Sequence, residues 1–201
     1  MCKSRFVPTA RAWRSSAGIT FVLGAFLAFM VVSTASARAT GTPFASTLFE
    51  PSFRLELPRG WIVAERAVDV AQTYRRCASC AHGGEENGEI TFDMTLSKLA
   101  PAEATALLRR AQGIRATAVQ TVTYGKLRGP GFTARRTGNA IEFPRSGYRS
   151  DPTGAPIKVF VVRVGGKTVT VLIDPHERTP AKAPAFMQEA GAILKTVRFT
   201  G

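Results

Sequence analysis

The sequence predicts an α+β protein, an antiparallel β-sheet flanked by helices. Three observations carry this reading. Several short segments alternate apolar and polar residues with the period of a strand. Two-residue glycine links join some of them, and links so short allow only antiparallel neighbours. Two further segments repeat their apolar residues at helical spacing, one in mid-chain and one closing the chain.

The elements follow in order. "FRLEL" (53–57) sets Phe53, Leu55 and Leu57 against Arg54 and Glu56, a half-buried strand ended by Pro58 and Gly60. Trp61 then offers a large core anchor. "IVAERAVDVAQTYRR" fits two periods: Val63, Ala67, Val70, Ala71 and Tyr74 make a helical face, while its valines equally suit a strand. "EITFDMTL" places Ile90, Phe92, Met94 and Leu96 on one strand face. A helix starts at Pro101, with Glu103 near its positive end; Ala104, Leu107, Leu108 and Ala111 form its apolar stripe, and Gly113 stops it.

"TAVQTVTY" and "FTARRTGNAIEF" read as strands, the second folded on itself at Gly138-Asn139. "IKVFVVRV" (157–164) is apolar on both faces, as a central strand must be. Gly165-Gly166 turns it into "KTVTVLID". Phe186, Ala190, Ile193, Leu194 and Val197 make the last helix amphipathic.

The N-terminus sets the compartment. Lys3, Arg5, Arg11 and Arg14 precede an apolar run from Ile19 to Val32, with small residues at Ala35 and Ala37. That is the pattern of an export signal, expected over 1–37 and engaging the membrane during export. An uncleaved anchor is the alternative, and it leaves the same domain outside the cytoplasm. Residues 38–47 are expected to be a flexible leader and 48–201 one domain. The chain carries 27 Lys+Arg against 14 Asp+Glu. Export excludes nucleic acid as a normal partner, so this charge points to a solvated basic surface, an envelope protein or an anionic cell-surface component.

The chemistry-bearing stretch is "YRRCASCAHGGEENGEITF". Cys77 and Cys80 are the only cysteines beyond the signal and sit in an oxidising compartment, which favours a disulfide between them. C-x-x-C is also half of many zinc sites, and Cys77, Cys80 and His82 could supply three ligands, with the distant His176 or the nearer acids Glu85 and Glu86 as candidates for a fourth. A thioredoxin-type redox pair fits poorly, because the glycine-rich continuation opens no helix at the first cysteine. The chain has no G-x-S-x-G elbow, H-E-x-x-H or P-loop, so no catalytic residue is assigned and no enzyme is expected. His176, between Asp174 and Glu177, reads as a solvated loop residue. The leading expectation is a non-enzymatic binding or assembly protein without cofactor; the alternative is a zinc-binding or thiol-redox accessory protein using the Cys77 loop.

"FRLELPRGWIV" and "IKVFVVRVGGKTVTVLIDP…AFMQEAGAILKTVRF" resemble the PsbP-like superfamily, through Leu57-Pro58, Gly60-Trp61, Gly165-Gly166 and the closing helix that runs into Phe199. That group takes in the extrinsic PsbP subunit of photosystem II, a Ran-binding nucleotide-release factor and exported bacterial proteins. The resemblance implies an α/β/α sandwich around an antiparallel sheet, and a binding or assembly role without catalytic residues. It carries over no manganese, calcium or chloride site.

Overall fold

The structure is a computed structural model, and it describes residues 41–76, 85–137, 141–143, 149–150, 156–175 and 183–200. In chain order the elements are β1 (Thr42–Ala45), β2 (Phe53–Leu57), β3 (Trp61–Ala67), β4 (Val70–Arg76), β5 (Glu85–Asp93) and α1 (Pro101–Leu108). Then come β6 (Ile114–Ala116), β7 (Gln120–Tyr124), β8 (Leu127–Arg136), β9 (Ile141–Glu142) and β10 (Arg149–Ser150). The chain closes with β11 (Ile157–Val164), β12 (Lys167–Asp174), α2 (Ala183–Thr196) and β13 (Arg198–Phe199).

Among the described residues every strand pair is antiparallel. The main sheet runs β3-β4-β5-β12-β11-β8-β6, with β7 also on β8; a small sheet runs β1-β2-β13. β11 is a central strand, as its two-sided apolar pattern requires. Phe160 and Val162 enter one core, while Ile157, Val159 and Val161 enter the other. The β11–β12 hairpin closes at Gly165-Gly166 with φ of 52° and 79°, the left-handed pair that a two-residue turn of this type demands.

The two cores lie on opposite faces of the main sheet. Ala104 and Leu108 of α1 pack with Leu96, Phe132 and Leu172 on one face. Phe186, Ala190, Ile193 and Leu194 of α2 pack on the other, together with Phe53, Leu55 and Leu57 of the small sheet. Phe53 joins the two sheets, its ring 5.0 Å from Phe92 and 5.6 Å from Phe49. Trp61 is buried on the α2 side and stacks on Phe186 at 5.8 Å. Its indole Nε1 donates to Glu189 Oε1 at 2.8 Å, so the buried polar tip has a partner.

The structure settles one open reading and corrects two local expectations. The ambiguous segment after Trp61 is a strand hairpin, β3–β4, because β3 pairs along β4, and β4, with Val70 and Thr73, pairs in turn with β5, which a surface helix would lack. Leu96 does not share a face with Ile90, Phe92 and Met94. β5 ends at Asp93, the chain turns, and Leu96 enters the opposite core. Ile141–Glu142 pairs with Arg149–Ser150 rather than folding back on β8, where Ile114–Ala116 takes the place beside Ala134–Arg136. Gly138 and Asn139 themselves lie outside the described residues.

Candidate functional site

Cys77, Cys80, His82 and His176 all lie outside the described residues. The structure does show what the cysteine stretch connects: β4 ends at Arg76 and β5 begins at Glu85, paired with each other, so residues 77–84 link two hairpin strands. Glu86 sits opposite Arg75 in the same ladder. Among the described residues, no three His, Cys, Asp or Glu side chains gather as a metal site.

A groove lies elsewhere among the described residues. "RGPGF" (128–132) creates it. A side chain at Gly131 would begin 2.6 Å from Phe160 Cβ and from the Val159 carbonyl, and one at Gly129 would run into the Val161 carbonyl. The two glycines thus let β8 press against β11, and Pro130 between them has no N–H for the ladder. The β8–β11 pairing accordingly ends at Gly131↔Phe160, and the rest of β8 pairs only with β7. Beyond that point opens a groove of about 570 Å³, walled by Lys126–Arg128, Val162–Val164 and Val197–Phe199.

Its floor is apolar. Leu127, Val162 and Val197 are buried, and Val164 and Phe199 are half-buried against the same core. Its rim is cationic: Lys126, Arg128 and Arg198 are exposed, and no carboxylate belongs to the lining. Arg198 is fixed in place, its guanidinium donating to the carbonyls of Lys195 at 2.9 Å and Val197 at 2.7 Å, at the negative end of α2. Lys126 is brought near by the β7–β8 turn, whose Gly125 packs on the Lys195 carbonyl. Arg163 turns the other way and donates to the Leu99 carbonyl and to Thr168 Oγ1. Neither Lys126 nor Arg128 meets an acid among the described residues. The arrangement offers charge to an anion and apolar surface to whatever carries it.

The polar side of β5 is buried too, although its alternation suggests a solvated face. Glu89, Thr91 and Asp93 are each at most 5% exposed. Glu89 accepts from Thr91 Oγ1 at 3.0 Å and from Gln72 Nε2 at 3.2 Å, and Arg66 Nε donates to Gln72 at 2.9 Å. Asp174 is held by Arg136 at 2.6 and 2.8 Å, an ion pair inside the protein. Burial pushes the Asp93 carboxyl above its ordinary value, partly offset by hydrogen bonds from Thr95, and the charge of Asp69 adds to the rise. Glu89 and Asp174 are thus answered by donors, as buried acids must be. The Arg66–Gln72–Glu89 chain ties β3, β4 and β5 together, and the Arg136–Asp174 pair ties β8 to β12.

Sequence reading missed the groove. Lys126, Arg128 and Arg198 are scattered in the chain and look like any solvated base. The usable signal was the G-P-G within a strand pattern, which marks a close backbone approach and a broken ladder.

The topology thus defines an antiparallel α+β protein with a basic groove at a split in its sheet. No protein-family model matches the chain, and no curated protein does. Similar solved structures include cyanobacterial PsbP from Synechocystis sp. PCC 6803, 8% identical, covering 83% of this chain and 96% of that one, with a TM-score of 0.47. LpqN, involved in cell envelope biogenesis of Mycobacterium tuberculosis, is 13% identical over 80% of this chain and 86% of its own, with a TM-score of 0.42. A crystal structure from Bacteroides thetaiotaomicron VPI-5482 is 12% identical over 81% of this chain, with a TM-score of 0.46; the chain spans 49% of its length. A PsbP stands among the solved structures to which the chain is similar. At these identities and scores the likeness defines no ligand, partner or activity.

Proposed function

We propose that this is an exported, non-enzymatic binding protein of the cell envelope, and that its groove receives an anionic partner. The export signature of residues 1–37 supports the compartment. The observation that carries the binding role is the rim: Lys126, Arg128 and Arg198 stand exposed around an apolar floor with no acid in the lining. Fixed like charges around a concavity focus potential and attract the opposite sign more strongly than the same charges scattered on a flat surface.

The test separates local charge from net charge. The triple variant Lys126→Glu, Arg128→Glu, Arg198→Glu is compared with Arg109→Glu, Arg110→Glu, Arg115→Glu, three exposed bases outside the groove. Both lose the same formal charge. Binding to polyglutamate and to phosphatidylglycerol vesicles is measured at low and high salt. The groove variant should lose at least tenfold in affinity for one of these anions while the control keeps most of it. Equal losses would assign the binding to overall basicity and remove the groove from the account.

A further inference from the structure

We infer that the outer edge of β7 is a self-association surface, on which a second copy of this chain pairs antiparallel and joins the two main sheets. The β7–β8 hairpin closes at a two-residue turn, Gly125-Lys126, so Tyr124 and Leu127 form a hydrogen-bonded pair. Such pairs alternate along an antiparallel ladder with pairs that are not bonded. Val122↔Gly129 is therefore bonded, while Thr121↔Pro130 and Thr123↔Arg128 are not. The backbone N–H and C=O groups of Thr121 and Thr123 point away from β8, at the border of the sheet. Neither residue's outward groups meet a partner among the described residues, and both residues are exposed. Pro130 fits the same phase, since the N–H it lacks would face β11 and not β7.

Charge decides what covers this edge. The chain holds 27 Lys+Arg against 14 Asp+Glu, yet "TAVQTVTY" (117–124) contains no charge, proline or glycine. The other border strands are guarded: β3 carries Glu65 and Arg66, β6 Arg115, β1 Pro43 and β13 Arg198. Charges and prolines of this kind are what block pairing between sheet edges, and β7 lacks them. A two-fold axis at Val122 sets Thr121 opposite Thr123 of the second copy, so the outward groups of both strands satisfy each other. That register overlaps all of β7, and Val119, 44% exposed, falls opposite Gly125 of the second copy. Lys126 falls opposite an alanine, Ala118. The two Lys126 residues then stand roughly 27 Å apart, at about 3.4 Å per residue of strand. That is about three Debye lengths at physiological salt, so two basic chains meet here without opposed charges. An acidic chain from another protein would find no cation on β7 itself.

Sedimentation velocity follows the purified protein from about 10 μM to about 1 mM, the range in which a small interface associates. The expected result is a shift toward twice the monomer mass. The shift should grow at high salt, because screening relieves the repulsion between two basic chains. Amide hydrogen exchange should slow with concentration at Thr121 and Thr123 and stay unchanged at Val122, whose N–H already faces Gly129. Thr121→Pro deletes an outward N–H and no ladder bond; Thr123→Lys sets a charge on the edge and leaves the backbone intact. Each should weaken association at least tenfold, and the lysine variant keeps the test valid if the proline disturbs the strand. A monomer at every concentration overturns the inference. So does association that both variants retain, which places it on another surface, the apolar run 19–32 included. Protection of Thr121 and Thr123 that appears with polyglutamate, and not with protein concentration, overturns self-pairing and gives the edge to an acidic chain.

Discussion

The Glu65 carboxylate accepts the backbone N–H of Phe49 at 2.9 Å, tying the middle of β3 to a loop that buries Phe49 completely. The same carboxylate accepts the N–H groups of Thr47 and Leu48 and the Thr47 hydroxyl, at 2.9 to 3.1 Å. Burial pushes its pKa up, but the donors from Phe49, Thr47 and Leu48 outweigh this and hold it below the ordinary value of 4.5. Phe49 then serves as an edge-on partner for Phe53. A charged side chain thereby fixes an aromatic core contact.

Glu65→Gln should therefore lower unfolding stability at pH 7 by about 1–2 kcal/mol, a value kept modest because the site is partly solvated. The folded pKa is depressed, so the contribution is full above the ordinary value and fades as pH falls through the folded one. Urea unfolding of both proteins at pH 7 and pH 3 measures this. A gap as large at pH 3 as at pH 7 would show that the charge is not what matters.

Asp93 predicts the opposite sign. Its folded pKa is raised, so the ionised form costs stability once pH rises above the ordinary value near 3.8. The amide oxygen of Asp93→Asn can still accept from the Thr95 N–H and hydroxyl, which now bind Oδ1 at 2.7 and 2.5 Å. The variant should be more stable than the native chain at pH 7 and lose that advantage near pH 3. Thermal unfolding across the range decides it; a variant less stable at every pH would make the carboxylate charge a stabiliser.

Trp61→Ala should cost about 3–5 kcal/mol, since it empties an aromatic site stacked on Phe186 in the core under α2. Trp61→Phe should cost less, keeping the stack and losing the 2.8 Å bond to Glu189. Chemical denaturation of the two variants orders the effects. Similar losses for both would place the weight on the hydrogen bond instead of the ring.

Much of the fold was legible because side-chain period reports burial directly. β2, β11 with its glycine turn, and α2 were readable from apolar spacing alone. β3–β4 was not, because its apolar residues fit two periods and only the neighbouring β5 selects the strand. The buried polar face was hidden for a related reason. A strand carrying Glu89, Thr91 and Asp93 looks half-solvated until the partners Gln72 and Thr95 are in place. The groove depends on three chain segments distant in sequence, and no local pattern in any of them announces the other two.

Cys77 and Cys80 should be joined in the native protein. The proposed export would place them in an oxidising compartment, and removal of residues 1–37 would leave no other thiol. Peptide mapping without reductant should recover both in one fragment two mass units lighter than its reduced form. Cys77→Ser should lower stability only slightly, by about 1–2 kcal/mol at most, because so short a ring removes little chain entropy. Two free thiols with one equivalent of zinc would instead establish the Cys77–Cys80–His82 metal reading.

Gly129→Ala tests how the groove is made. The added methyl would meet the Val161 carbonyl and, at 3.4 Å, the Val162 Cα, both backbone atoms that cannot rotate aside. Relief requires β8 to move off β11, widening the groove and straining the Gly131↔Phe160 end of the ladder. The expected cost is about 1–3 kcal/mol, the range for forcing bulk into a packed site. Arg128→Ala, one residue away and exposed, should change stability by less than about 0.5 kcal/mol while weakening anion binding. The pair thus separates architecture from recognition within two adjacent residues. If Gly129→Ala folds with native stability and unchanged amide exchange in Val161–Val164, the close approach at Gly129 is not what ends the ladder, and the origin of the groove must be sought in Pro130.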